Sequence, residues 1–380
     1  MKKLLSILMT LVMTIGIGTS VYAAENVEIS EDMKHQAIDL VEQYISDAYE
    51  GEYNLLEMKS DVLSTDIENS KVKIVVRTNL IKMLVEKSVQ DLPYIKGMMS
   101  SVEKLEEERS GDAVLARYVL DEQVEAMSEY IGVEQEQNEV FRVTFDISDP
   151  NLSNAKLEVF GIDEYIPAEY FGPKSTDEQY MSGKTELKEN MENTRMALMA
   201  AEPDVDVMNE RELTTLAEKS TISYDRIAAR DYANKYTSEC GNSYNTKYWN
   251  PNYKWHTENG GVDCANYVSQ AIYAGGIPQD STWKPESVAW VNTGKNNKGG
   301  LTHYMTNKGY FKKSTQSTCA AGGFMSHTDM SHVIFIVAND GKQMLFSSHT
   351  ADRLKASFAG SYYKNMDYYY INPIYNKDLQ

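Results

Sequence analysis

The chain has 380 residues, with 37 Lys and Arg against 56 Asp and Glu, a formal charge of −19. That length allows two ordinary domains. The acid excess argues against a nucleic-acid partner, which calls for a basic footprint. With 42% hydrophobic residues the chain is neither a polytopic membrane protein nor mostly disordered, and three cysteines are too few for a disulfide-built scaffold.

Residues 1–23 read as a secretory signal peptide. Lys2 and Lys3 precede an apolar run from Leu4 to Ile17, and Val21-Tyr22-Ala23 offers small residues for cleavage. The run is short for a membrane span, so the expectation is a secreted or cell-wall-associated protein without an integral membrane segment once the signal is removed. The remaining charge divides unevenly. Ala24 to Ser220 holds 44 acids and 19 bases, net −25, whereas Thr221 to Gln380 holds 12 acids and 16 bases, net +4. All four Trp, all three Cys and five of the six His also lie in the second part. This composition sets an acidic accessory domain at 24–199, a linker at 200–221 that includes a short helix at 210–219, and a second domain at 222–380.

In the accessory domain, Ile38, Val41, Ile45 and Tyr49 follow helical spacing. Val72, Ile74 and Val76 alternate as a strand, as do Val143, Phe145 and Ile147, then Leu157 and Val159. Helices are expected around Leu92 to Glu107 and Glu122 to Tyr130. The result is an α+β domain with a small curved sheet and carboxylates scattered over solvated faces.

The second domain opens with Tyr224, Ala228, Tyr232 and Tyr236 at helical spacing. Cys264 to Ala274 forms the next helix, preceded by Gly260-Gly261 and closed by Gly275-Gly276 and Pro278. Cys264 therefore sits at a helix N-terminus, where free N–H groups and the dipole stabilise a thiolate and a developing oxyanion. A nucleophilic thiol needs a base. His332 opens the apolar strand Ser331 to Val337. A turn at Asn339-Asp340-Gly341-Lys342 leads to a second strand, Gln343 to Ser348, ending at His349. A hairpin of this shape brings both histidines toward one end. The assignment is Cys264 as nucleophile, His332 as general base and acid, and His349 as orienter of the His332 ring, with Asn339, Asp340 and Asp352 as other candidates for that last role. A zinc set of His327, Asp329, His332 and His349 is a weaker alternative, since it lacks the helical His-Glu-x-x-His frame. Cys240 and Cys319 are either a disulfide or two thiols. Most of Trp249, Trp255, Trp283, Trp290 and the Tyr368-Tyr369-Tyr370 run read as core.

The segments Gly-Gly-Val-Asp-Cys264-Ala-Asn-Tyr-Val-Ser-Gln, Ser-His332-Val-Ile-Phe-Ile-Val and Ser-Ser-His349-Thr-Ala-Asp resemble the "putative amidase domain" family of Gram-positive bacteria. That family is similar to the NlpC and CHAP cell-wall peptidases. The resemblance covers about residues 222–376 and implies a papain-like α+β cysteine hydrolase domain that needs no cofactor. It implies Cys264, His332 and His349 as catalytic, with Tyr253, Asp263 and Asn266 on the substrate side. The implied reaction is amide hydrolysis through a thioester on peptidoglycan or another peptide substrate. A catalytically silent wall-binding module and a thioester acyltransferase are the alternatives. Gly322-Gly323-Phe324-Met325 and Ser326-His327-Thr328-Asp329 stand where the family has a Gly-Asp turn, which points to a remodelled approach to the histidine. The sequence sets no oligomeric state.

Overall fold

The computed structural model describes residues 29–149, 151–201, 221–239, 243–257, 263–295 and 299–379. The expected signal peptide, most of the linker with its short helix, and Cys240 lie outside the described residues. The fold is mixed α+β, built on two antiparallel sheets.

The first half begins with α1 (Glu31–Tyr49), capped by the Ser30 hydroxyl and burying Ala37, Val41, Ile45 and Tyr49 on one stripe. A long hairpin follows, β1 (Tyr53–Glu68) and β2 (Lys71–Leu84). Every second residue of β2 from Val72 onward is buried, as period-two patterning requires. Next come α2 (Pro93–Glu107), α3 (Ala113–Ser128), β3 (Gln135–Asp146), β4 (Lys156–Phe160), β5 (Tyr165–Pro167) and α4 (Thr176–Ala201). The five strands lie in sequence order, and α2 packs on α4 through Gly97 and Gly183. A Cβ on Gly97 would meet the Tyr180 carbonyl, so only glycine permits this backbone approach.

Helix α3 starts nine residues before the sequence placed it, at Ala113, because Leu115, Ala116, Val119 and Leu120 extend the apolar stripe backward. The 16-residue strand β1 had no sequence expectation. It is an edge strand with mostly exposed side chains and two register shifts, so it carries little alternation to read.

The second half contains α5 (Arg226–Lys235), α6 (Cys264–Ala274), α7 (Val288–Val291), α8 (Leu301–Asn307), β6 (Phe311–Ser314), β7 (Phe324–His327), β8 (Val333–Asn339), β9 (Met344–Ser348), β10 (Arg353–Ser357) and β11 (Met366–Ile371). The strand order is β10-β9-β8-β7-β11-β6. Strand β8 is central and buried along its whole length, which explains its unbroken apolar run. Both α5 and α6 pack against it. Trp249, Trp283 and Trp290 are core residues as expected, whereas Trp255 is 38% exposed.

Among the described residues one continuous apolar cluster runs from Ala37 to Ile371, with members in both halves. Each fully buried Ile, Val, Leu or Phe in it contributes about 1.5–3 kcal/mol relative to exposure. Among the described residues, no helix is long and apolar enough to cross a membrane.

Candidate active site

Cys264 is the first residue of α6, as its flanking glycines suggested, and is 1% exposed. The residue before it, Asp263, occupies the N-cap position, but its carboxylate makes no capping bond to the helix. The amides of Cys264 and Ala265 therefore remain free to face the thiol, and the amide of Val333 at the start of β8 joins them. These donors favour a thiolate, but burial opposes it more strongly. The Cys264 thiol is pushed up to about 11. The helix N-terminus was expected to activate the thiol, and desolvation wins instead.

His332 immediately precedes Val333, so Cys264 and His332 lie on touching elements. The imidazole is partly buried, and its ring stands 6.2 Å from that of His327 at 65°. Desolvation, reinforced by the charge of His327, pushes His332 down to about 4. No hydrogen bond joins Cys264 Sγ to His332 among the described residues. Burial thus favours a neutral thiol at Cys264 and a neutral imidazole at His332. His327, expected only as a zinc ligand and in the approach to the histidine, lies beside His332, and its Nε2 is buried without a partner among the described residues.

His349 is engaged differently from the expectation that it would orient His332. Its Nδ1 bonds Asp263 Oδ2 at 2.8 Å and its Nε2 bonds the Tyr236 carbonyl at 2.6 Å. A carbonyl only accepts, so Nε2 carries a proton, and the bond to Asp263 holds a second proton between its two atoms. The ring is stacked between Trp249 and Tyr267, each with its centroid 4.1 Å away. With both nitrogens and both faces occupied, His349 is committed to the Cys264 side of the site. It fixes Asp263, the residue bonded to Cys264.

Asp263 and Asn266 are also placed otherwise than expected for substrate contacts. Asp263 is fully buried, and its Oδ1 accepts from the His256 amide at 3.0 Å and from Asn266 Nδ2 at 2.9 Å. Asn266 also donates to the Lys254 carbonyl and accepts from Trp290 Nε1 at 2.8 Å. Both side chains are consumed in bracing the loop before α6, leaving none of their polar atoms for a ligand. Tyr253 is half-buried and stacks on Trp290 with centroids 6.0 Å apart, which leaves part of it at the surface.

The other candidate orienters also point elsewhere. Asp352 accepts from Ser238, the Asn245 amide and Trp249 Nε1, holding Trp249 against His349. Asn339 bonds the carbonyls of Gln316, Ser317 and Cys319. Asp340 faces Tyr53 and Gln135 of the first half. The zinc set is not assembled: Asp329 pairs with Lys295 at 3.1 Å, and His349 is committed as described. Among the described residues, no three His, Cys, Asp or Glu side chains converge as a metal site. Cys319 is a buried thiol whose Sγ lies 3.3 Å from the Tyr369 carbonyl.

Thr350 carries one further mark of constraint. This β-branched residue has φ of 91°, and its hydroxyl accepts from the Asp263 amide at 3.3 Å. The sequence signal for it was only its place after His349.

Residues 223–371 match the family described as "Putative amidase domain". The match suggests amide hydrolysis in general terms for the second half of the chain. The chain is also similar to "Uncharacterized protein YjcM" of Bacillus subtilis, 28% identical over 203 residues. That similarity takes in 49% of this chain and 45% of the relative, so the chain spans less than half the length of the curated relative it matches. No solved structure matches.

Proposed function

We propose that the second half is a papain-like cysteine amide hydrolase acting outside the cell on peptide bonds of peptidoglycan. The observation that carries this reading is Cys264 at the first turn of α6, facing the amide of the residue that follows His332. Substrate entry would bring the imidazole to the thiol. As Sγ attacks the amide carbon, its proton passes to His332. The oxyanion is received by the amides of Cys264, Ala265 and Val333. His332 then gives its proton to the departing amine as the C–N bond breaks, leaving a thioester on Cys264. A water molecule deprotonated by His332 cleaves the thioester and restores the thiol. Asp263, held by His349, fixes the backbone at the nucleophile.

The raised thiol and the missing Cys264–His332 bond favour a second reading, a peptidoglycan-binding module that does no chemistry. The release of soluble muropeptides from purified peptidoglycan separates the two. Hydrolysis is supported if the wild type releases them and Cys264→Ala loses at least about a thousandfold in rate. Binding without release by either protein supports the module. Equal release by both refutes the cysteine mechanism.

A further inference from the structure

We infer that the acidic first half is a permanent structural partner of the second half. It grips the hairpin that carries His332 and His349, at its turn and along the neighbouring strand β10. The turn joining β8 to β9, Asn339 to Gln343, has the polar composition of a solvent-facing turn. Instead Asn339, Asp340, Lys342 and Gln343 are all at most 5% exposed.

Asn339 is held within the second half by the carbonyls of Gln316, Ser317 and Cys319, and what covers the other three comes from the first half. Asp340 accepts from Tyr53 Oη at 2.8 Å and Gln135 Nε2 at 3.0 Å. Gln343 accepts from Tyr49 Oη at 2.8 Å and from Lys82 Nζ. Lys342 Nζ lies 2.6 Å from Glu52 and 2.8 Å from Glu86. Gly341, at φ of 86°, is packed so closely that a Cβ there would stand 3.1 Å from Met127 Sδ.

A second grip lies at β10. Arg353 is 2% exposed and donates to the carbonyls of Phe160 and Gly161, with Glu139 at 3.4 Å. A third pairs Lys312 with Glu122 at 2.9 Å. Cations of the second half thus meet carboxylates of the first, which matches the opposite signs of their net charges. Both ends of this match are specific enough to name the partner as residues 29–201 of the same chain.

The turn contacts lie well away from His332. Strand β8 rises about 3.3 Å per residue, so its turn stands roughly 20 Å from His332. The turn contacts set the strand's position from its far end, and the Arg353 contacts hold β10 opposite Ser348, next to His349.

The test inserts a protease recognition sequence between Ala201 and Thr221 of the full-length protein and cuts it after folding. The fragments are expected to co-elute on size exclusion at 0.15 M salt, with the iodoacetamide reaction of Cys264 changed less than about twofold. Separation of the fragments, or a large change in that rate while they remain together, would overturn the inference. Glu52→Gln with Glu86→Gln, which leaves Lys342 buried without an anion, is expected to speed dissociation of the cut protein at least about tenfold. An unchanged dissociation rate would refute the ion-pair grip. These readouts need no substrate, so they stand or fall apart from the amide-hydrolysis reading.

Discussion

Replacing His349 by Ala tests the keystone beneath the candidate nucleophile. The change removes the bond to Asp263, which stays fully buried, and leaves the Tyr236 carbonyl without its donor. A hydrogen bond to a charged group contributes about 1.5–3 kcal/mol. The two stacked faces, Trp249 and Tyr267, add about 0.5–1.5 kcal/mol each. The expected loss is about 3–5 kcal/mol, the range for breaking a buried pair by deleting one partner. Asp263 Oδ1 keeps its bonds to His256 and Asn266, which argues against a larger value. Urea unfolding followed by tryptophan fluorescence measures it, and His349→Gln should recover about 1 kcal/mol by restoring one donor. A loss below about 1 kcal/mol for His349→Ala would refute the keystone role.

The thiol pushed to about 11 should make Cys264 slow toward iodoacetamide. At pH 8 its thiolate fraction is about a hundredfold below that of an ordinary cysteine, and the rate should climb about tenfold per pH unit. A midpoint below pH 7 would instead reveal a preformed thiolate–imidazolium pair. His332 is lowered from 6.5 to about 4, so between those values the unfolded chain binds the proton and the folded chain does not. Stability from this group is therefore present above about pH 6.5 and is lost as the pH falls through about 4, amounting to about 2 kcal/mol after allowance for the ring's partial exposure. Urea unfolding from pH 7 to 4 should show a shallower slope for His332→Asn, and identical slopes would contradict the assignment. Gly341→Ala combines a positive φ with contact on Met127 and should cost about 1–3 kcal/mol in the same assay.

Much of the frame was legible because burial follows periodicity. The stripe of α1, the alternation of β2 and the unbroken apolar run of β8 each announce their environment. The start of α6 at Cys264 was readable from its flanking glycines. What was not legible depends on contacts between residues far apart in the chain. Nothing local in Ser-Ser-His349-Thr reports that Trp249 and Tyr267 enclose the ring, or that Asp263 takes its nitrogen. The turn Asn339-Asp340-Gly341-Lys342 reads as exposed from its residue types, and only the docking of the first half buries it. The charge split between the halves suggested a domain boundary. In the fold, part of the acid excess meets Lys312, Lys342 and Arg353 across their junction. The direction of the Cys264 shift escaped for a related reason, since helix-end stabilisation is local while desolvation is set by the whole fold.

The most direct test of Cys264 as a nucleophile is intact-mass spectrometry of the full-length protein, quenched in acid during reaction with purified muropeptides. A covalent peptidyl adduct mapping to the peptide that contains Cys264, absent from Cys264→Ala, is the expected result. Release of product by the Cys264→Ala protein, with no adduct on the wild type, would contradict it.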